Sequence, residues 1–201
     1  MSFWVQMTVD TFRDPKRTAE KIIQWQITKT ELYLAMIAFS AVNAFFAGLS
    51  SILSPLSVDP AALESMPILA LMKMPLILFV LIVAGLIISI HGFFWAGSVM
   101  GGQGQLKDML VLFTWLQGLR AVAQAAVFLL SLAIPTLGSL LAVVVVIVAF
   151  WILLHFISVA LNFNSLLRSF TVLVVVSTAF FLSLMMLVTI TGVAMGGLTD
   201  V

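Results

Sequence analysis

His91, Gln117, Arg120, Gln124 and His155 are polar side chains set in long apolar stretches of this sequence. A polar or ionisable group inside a membrane span is costly and carries a functional hypothesis by default. Arg120 is the sharpest of them. Thr114, Gln117, Arg120 and Gln124 recur at intervals of three and four, which places them along one side of a helix. Gly118, Ala121 and Ala125 beside them let a neighbouring helix approach closely. The apolar stretches hold no Asp or Glu to pair with the arginine. Its partners are then carbonyls at helix ends, glutamines, water or the phosphate of a lipid, which a guanidinium grips by charge-assisted hydrogen bonds. Trp151, His155, Ser158 and Asn162 form a second stripe at the same spacing. Two pictures fit. In one, His91, Arg120 and His155 share a hydrated polar cavity in one half of a helix bundle. In the plainer one, each histidine hydrogen-bonds a carbonyl of a helix and Arg120 snorkels to the surface.

Other chemistry finds little support. There is no cysteine, which removes disulfides, thiolate metal sites and thiol nucleophiles. Two histidines without a carboxylate in the apolar stretches make a poor metal site, so no metal or cofactor is expected. Phosphate loops, paired carboxylates, Gly-x-Ser-x-Gly elbows and zinc-helix motifs are lacking, and a serine or histidine nucleophile would find no acid to orient its base. No enzyme activity is expected. Gly101-Gly102-Gln103-Gly104 follows an apolar span rather than a buried strand and reads as a tight turn. The 11 methionines do not cluster and read as core and lipid-facing filler rather than a copper path. A formal net charge of +1 gives no reason to expect nucleic acid.

The elements that position these residues follow from composition. Of 201 residues, 63% are hydrophobic and 8% are charged, against roughly 25% charged in a soluble domain. So little polar surface cannot cover a soluble fold, and lipid must solvate the chain. The expected fold is an all-α integral membrane protein, a bundle of five transmembrane helices preceded by an interfacial amphipathic helix. The spans are expected at about 32–53, 68–96, 108–134, 137–161 and 166–195, each near the ~20 residues that cross a bilayer. Together they form a 31–197 membrane domain after a 1–30 N-terminal segment. Thr28-Lys29-Thr30-Glu31 reads as a capping box opening the first span, and Pro75 is placed to kink the second. Pro135 ends the third span, and Gly196-Gly197 closes the fifth. Arg120 lies near mid-membrane if the third span starts at Leu106, and only about 9 Å along the helix if it starts near Thr114.

Basic residues set the orientation. Arg13, Lys16, Arg17, Lys21 and Lys29 precede the first span, and Lys107 and Arg168 fall on the same side of a five-span chain. The loop with Asp59 and Glu64 and the tail at Asp200 fall on the other. The N-terminus is therefore expected in the cytoplasm and the C-terminus outside. Asp14-Pro15 starts a short helix that mixes Ala19, Ile22, Ile23 and Trp25 with Lys16, Arg17 and Lys21. Lys16, Arg17, Lys21 and Trp25 suit anchoring in the headgroup layer, with Phe3, Trp4 and Phe12 on a preceding turn. A short helix packed on the underside of the bundle fits equally well. Asp59-Pro60 is expected to start one helical turn in the outer loop.

Arg13-Asp14-Pro15-Lys16-Arg17 before the first span, Gly101-Gly102-Gln103-Gly104 followed by Leu106-Lys107-Asp108, Trp115-Leu116-Gln117, and Ile134-Pro135 come in an order that resembles the Yip1 family, particularly its small bacterial members. The resemblance spans nearly the whole chain and implies five membrane helices with a cytoplasmic N-terminus, in a bacterial inner membrane. Eukaryotic relatives are associated with Rab-type GTPases, Golgi and endoplasmic-reticulum trafficking and membrane shaping. This chain departs from them in having only a short segment before its first span, so the resemblance implies architecture rather than Rab binding. The expected role is a non-enzymatic organiser or adaptor whose partners are membrane lipids or another membrane protein, with a homo-oligomer also compatible. The alternative is a lipid-handling or small-solute transport protein that uses a polar cavity around Arg120.

Overall fold

The structure, a computed structural model, describes residues 3–53 and 74–199. The expected turn at Asp59-Pro60, the stretch from Ile68 to Lys73 and the tail at Asp200 lie outside the described residues. Those described form helices α1 (Phe3–Arg13), α2 (Pro15–Ile23), α3 (Lys29–Leu53), α4 (Pro75–Val99), α5 (Leu106–Ala133), α6 (Pro135–Ala160) and α7 (Leu166–Thr199), with no strand among them. The chain is an all-α membrane bundle: α3, α4, α5, α6 and the Leu166–Met186 part of α7 are each long and apolar enough to cross a bilayer.

Local chemistry sets the helix starts. The Asp14 carboxylate accepts from the Arg17 N–H at 3.0 Å, and Pro15 takes the first position of α2. At the start of α3 the Thr28 N–H donates to Glu31 Oε2 at 2.8 Å while the Glu31 N–H donates to Thr28 Oγ1 at 3.3 Å, a reciprocal capping box. Pro75 does not kink a helix. It occupies the first position of α4, where its missing N–H has no helical acceptor to lose. A single residue, Ile134, separates α5 from α6, because Pro135 fits the first turn of a new helix and cannot extend the old one. The last helix runs through Gly196-Gly197 to Thr199 rather than stopping there.

The helices α3, α4, α7, α6 and α5 close a ring in that spatial order, with α4 also touching α5 across it. Burial is uneven along their length. On the N-terminal side Leu32, Met36, Ile90, Phe93, Met109, Leu110, Leu112, Ile152, Phe156, Ile157 and Val172 form a continuous core. Farther along, α7 is exposed from Val174 to Met186 apart from the half-buried Val176, and α6 buries only Gly138 before Ile152. The bundle is tight at one end and splayed at the other among the described residues.

A latch closes the tight end. Gly101 adopts φ +85° just beyond α4, and the Gly102 N–H donates to the Gly97 carbonyl at 2.8 Å. The α6 terminus mirrors it: Asn162 takes φ +54°, and the Phe163 N–H donates to the Ser158 carbonyl at 2.8 Å. The Gln103 N–H then donates to the Leu161 carbonyl at 3.0 Å, joining the two turns. Gly104 lies directly on the Ala160 carbonyl, a closeness only a residue without Cβ permits.

Candidate functional site

The polar residues of α5 come first. Gln117 is buried, and its Oε1 accepts from Asn43 Nδ2 of α3 at 3.1 Å. Gln124 lies two turns farther with its Oε1 buried and unpartnered among the described residues, as are Asn43 Oδ1 and Ser40 Oγ. A polar seam thus runs between α3 and α5 with unused hydrogen-bonding capacity. Arg120 follows Phe113 by seven residues, so both lie on one face of α5, about 10 Å apart along its axis. Phe113 is buried against Phe93 of α4, ring centroids 5.5 Å apart, whereas Arg120 is exposed. The ring is closed at the level of the aromatic pair and open at the level of the guanidinium.

The depth of Arg120 follows from its neighbours. Thr114 Oγ1 donates to the Leu110 carbonyl at 2.8 Å and reaches the Leu32 carbonyl at 3.4 Å, so Thr114 is level with the first turn of α3. Arg120 lies six residues beyond that level, about 9 Å. The first turns of α5, though helical from Leu106, are instead clasped by α2.

The histidines stand apart from this seam. His91 is two residues from Phe93 on α4, hence on the opposite side of that helix, and it is exposed. Its Nδ1 lies 2.8 Å from the Ile87 carbonyl. His155 Nδ1 lies 2.9 Å from the Trp151 carbonyl, and the two rings meet edge to face at 5.0 Å. The antiparallel α5 and α6 meet at Gly104/Ala160 on one side and at Ser131/Gly138 on the other. His155 is therefore level with the region of Val111, roughly 13 Å nearer the N-terminal side than Arg120. Gln117, Arg120 and Gln124 share α5, with Gln117 bonded to α3 and Arg120 exposed, while His91 and His155 each turn to their own helix.

Before the bundle, α1 and α2 form a clasp. Thr18, Ala19 and Ile22 of α2 are buried, and the helix packs on α6 and α5. Its apolar side is thus spent on the bundle's underside, while Lys16, Arg17 and Lys21 are exposed. Lys21 and Asp10 tie α2 to α1 at 3.8 Å, a surface pair of small energetic weight. Trp25 meets Trp115 of α5 at 5.6 Å and Trp4 of α1 at 6.0 Å, and Trp4 stacks on Trp115 at 6.1 Å. The Trp115 indole N–H donates to Thr11 Oγ1 at 3.1 Å.

This aromatic cluster roofs a cavity of about 560 Å³ between α3 and α5, within the roughly 300–1,000 Å³ of small-molecule sites. Ala35 and Phe39 form one wall, Gly118, Leu119 and Val122 the other, and Glu31 lies at its edge. Neither the cavity nor α1 as a helix is among the sequence expectations. The one available signal was Trp4, Thr8 and Thr11 at helical spacing; the meeting of Trp4, Trp25 and Trp115 has no local signature.

Among the described residues, no three His, Asp or Glu side chains gather to hold a metal ion. A family model described as the Yip1 domain matches residues 9–187, from within α1 into α7. No curated protein and no solved structure matches the chain. With most of its length covered, from the N-terminal clasp through the last spanning helix, the chain belongs to the Yip1 family.

Proposed function

We propose that this protein is a non-enzymatic organiser of the bacterial inner membrane, holding partner membrane proteins or lipids through its helix faces and its N-terminal clasp. The observation that carries this reading is the clasp itself. It is braced on α5 and α6, yet it leaves Phe3 58%, Trp4 59% and Phe12 49% exposed. Large aromatic side chains held outward on a fixed support are what interface anchors look like. A cytoplasmic N-terminus is supported by Lys16, Arg17, Lys21, Lys29, Lys107 and Arg168, all at the tight end of the bundle. Native mass spectrometry after gentle extraction from the source membrane tests the reading. The expected result is a stoichiometric protein or lipid partner whose recovery falls roughly tenfold in Phe12→Glu, about the cost of one interface anchor. Recovery of the bare chain from every mild extraction sinks the proposal.

A second reading, lipid handling or small-solute transport, is favoured by one observation. Arg120 stands exposed on the α5 face that carries Phe113, and the same helix holds the unpartnered Gln124 Oε1 one turn farther on. Such a group can hold a phosphate by charge-assisted hydrogen bonds while the amide accepts from a donor-bearing solute. In proteoliposomes Arg120→Ala is expected to lower phospholipid or solute flux at least tenfold, the weight of one charge-assisted bond. Unchanged flux removes this reading.

A further inference from the structure

The cavity beneath the tryptophan roof is chemically unlike the polar seam, and neither reading above uses it. Its walls are aliphatic or aromatic, and the polar atoms nearby are already engaged. Thr8 Oγ1 donates to the Trp4 carbonyl, Thr114 Oγ1 to the Leu110 carbonyl, and the Trp115 indole to Thr11. An occupant of the interior must therefore be hydrocarbon. The mouth is different. Glu31 Oε2 takes both capping hydrogen bonds from Thr28, and Oε1 has no partner among the described residues. No cation pairs with Glu31 there either, since the one ion pair found joins Lys21 and Asp10. An unpaired carboxylate beside three indole rings is a setting for a cation, because aromatic faces and a carboxylate both attract an ammonium.

We propose that this cavity is a binding site for a phospholipid whose headgroup ends in an ammonium. The ammonium rests against Glu31 and the faces of Trp4 and Trp25. One acyl chain runs along α5 from Trp115 to Val122, a stretch of about 10 Å. Position supports this occupant as much as chemistry does. Glu31 caps the first turn of α3, the helix that enters the apolar layer there, so the mouth is level with headgroups and the walls with the first acyl carbons. Tryptophan is the residue suited to that boundary. Charge also selects: an anionic headgroup at the same mouth would meet Glu31 unfavourably, and no basic side chain lines the cavity. The inference goes beyond the organiser reading. It needs only the cavity and a bilayer, and a chain that held no protein partner would still hold this lipid.

The test is native mass spectrometry of the purified full chain in detergent, with phosphatidylethanolamine and phosphatidylglycerol added at equal concentration. The wild type is expected to retain phosphatidylethanolamine roughly five- to tenfold over phosphatidylglycerol, the size of a partly desolvated cation–π contact. Glu31→Gln keeps an acceptor for the capping box and is expected to bring the two lipids level. Val122→Trp fills the inner end of the cavity, where the acyl chain runs, from a position 67% exposed, so the fold is undisturbed, and is expected to abolish retention of both. Circular dichroism melts establish that each variant is folded. Equal retention by the wild type, preference for phosphatidylglycerol, or lipid binding unaffected by Val122→Trp overturns the proposal. So does a dimer of the chain that Val122→Trp dissociates, because a second copy would then be the occupant.

Discussion

Replacing Gly104 by alanine is expected to open the latch at the tight end of the bundle and to cost about 3 kcal/mol, the upper part of the range for overpacking. A Cβ at this position would overlap the Ala160 carbonyl oxygen and lie 2.7 Å from its carbon and 3.0 Å from Leu161 Cα. All three are backbone atoms of a helix end, and they cannot turn aside as a side-chain tip would. The Gln103 N–H bond to the Leu161 carbonyl, at 3.0 Å, is adjacent and is lost with the contact. A thermal melt in mild detergent measures the effect. Trypsin reports the same event at Lys107, which follows the latch and becomes a cleavage site once the turn is free. Gly85→Ala is the control: a Cβ there meets nothing within 4 Å, and alanine is the better helix former. Gly104→Ala melting with the control would mean that the α6 terminus yields, and the rigid latch would have to be abandoned.

Ile22→Asp is expected to release the N-terminal clasp while leaving the five spans in place. Ile22 is fully buried where α2 packs on α6 and α5, so an aspartate there is a carboxylate without a partner. Burying such a charge costs several kcal/mol, on the order of 3–5 when nothing compensates it. Detaching a short helix costs less than that, so detachment is the expected response. Two readouts separate it from global unfolding. Trypsin cuts faster at Arg17 and Lys21, whose protection depends on α2 staying helical. Trp115 fluorescence shifts as Trp4 and Trp25 leave it, while far-ultraviolet circular dichroism loses only the signal of the short helices. Unchanged cleavage at those sites would show that the clasp is held elsewhere.

The fold was largely legible in the sequence because lipid imposes a strong rule. A span needs about 20 apolar residues, and Pro75, Pro135 and Thr28-to-Glu31 mark local boundaries by backbone chemistry. Where reading failed, the cause was position relative to a boundary. Pro75 sits at the first position of the helix it was expected to bend, where it starts the helix and cannot kink it. The candidate site was harder. Helical spacing placed Gln117, Arg120 and Gln124 on one helix, and α5 carries all three. It could not place His91 and His155, because periodicity fixes a residue on its own helix and says nothing of which helix faces it. The tryptophan roof joins α1, the segment after α2, and α5, so it exists only after folding.

The single residue between α5 and α6 bears on how the protein is made. With only Ile134 at the tip, there is no polar loop to carry across the membrane. The tip is Ala133-Ile134-Pro135-Thr136-Leu137, uncharged and with a single hydroxyl, so its passage meets little opposition beyond that hydroxyl and the turn's own backbone. Neither helix can be released into the bilayer while the other waits in the insertion channel, since one residue cannot span the gap. The pair must leave the channel as one object, with Lys107 and Arg168 together at its other end. The ribosome therefore delivers the middle of this bundle already paired, and α7 joins a hairpin that has formed before its own last residues are translated.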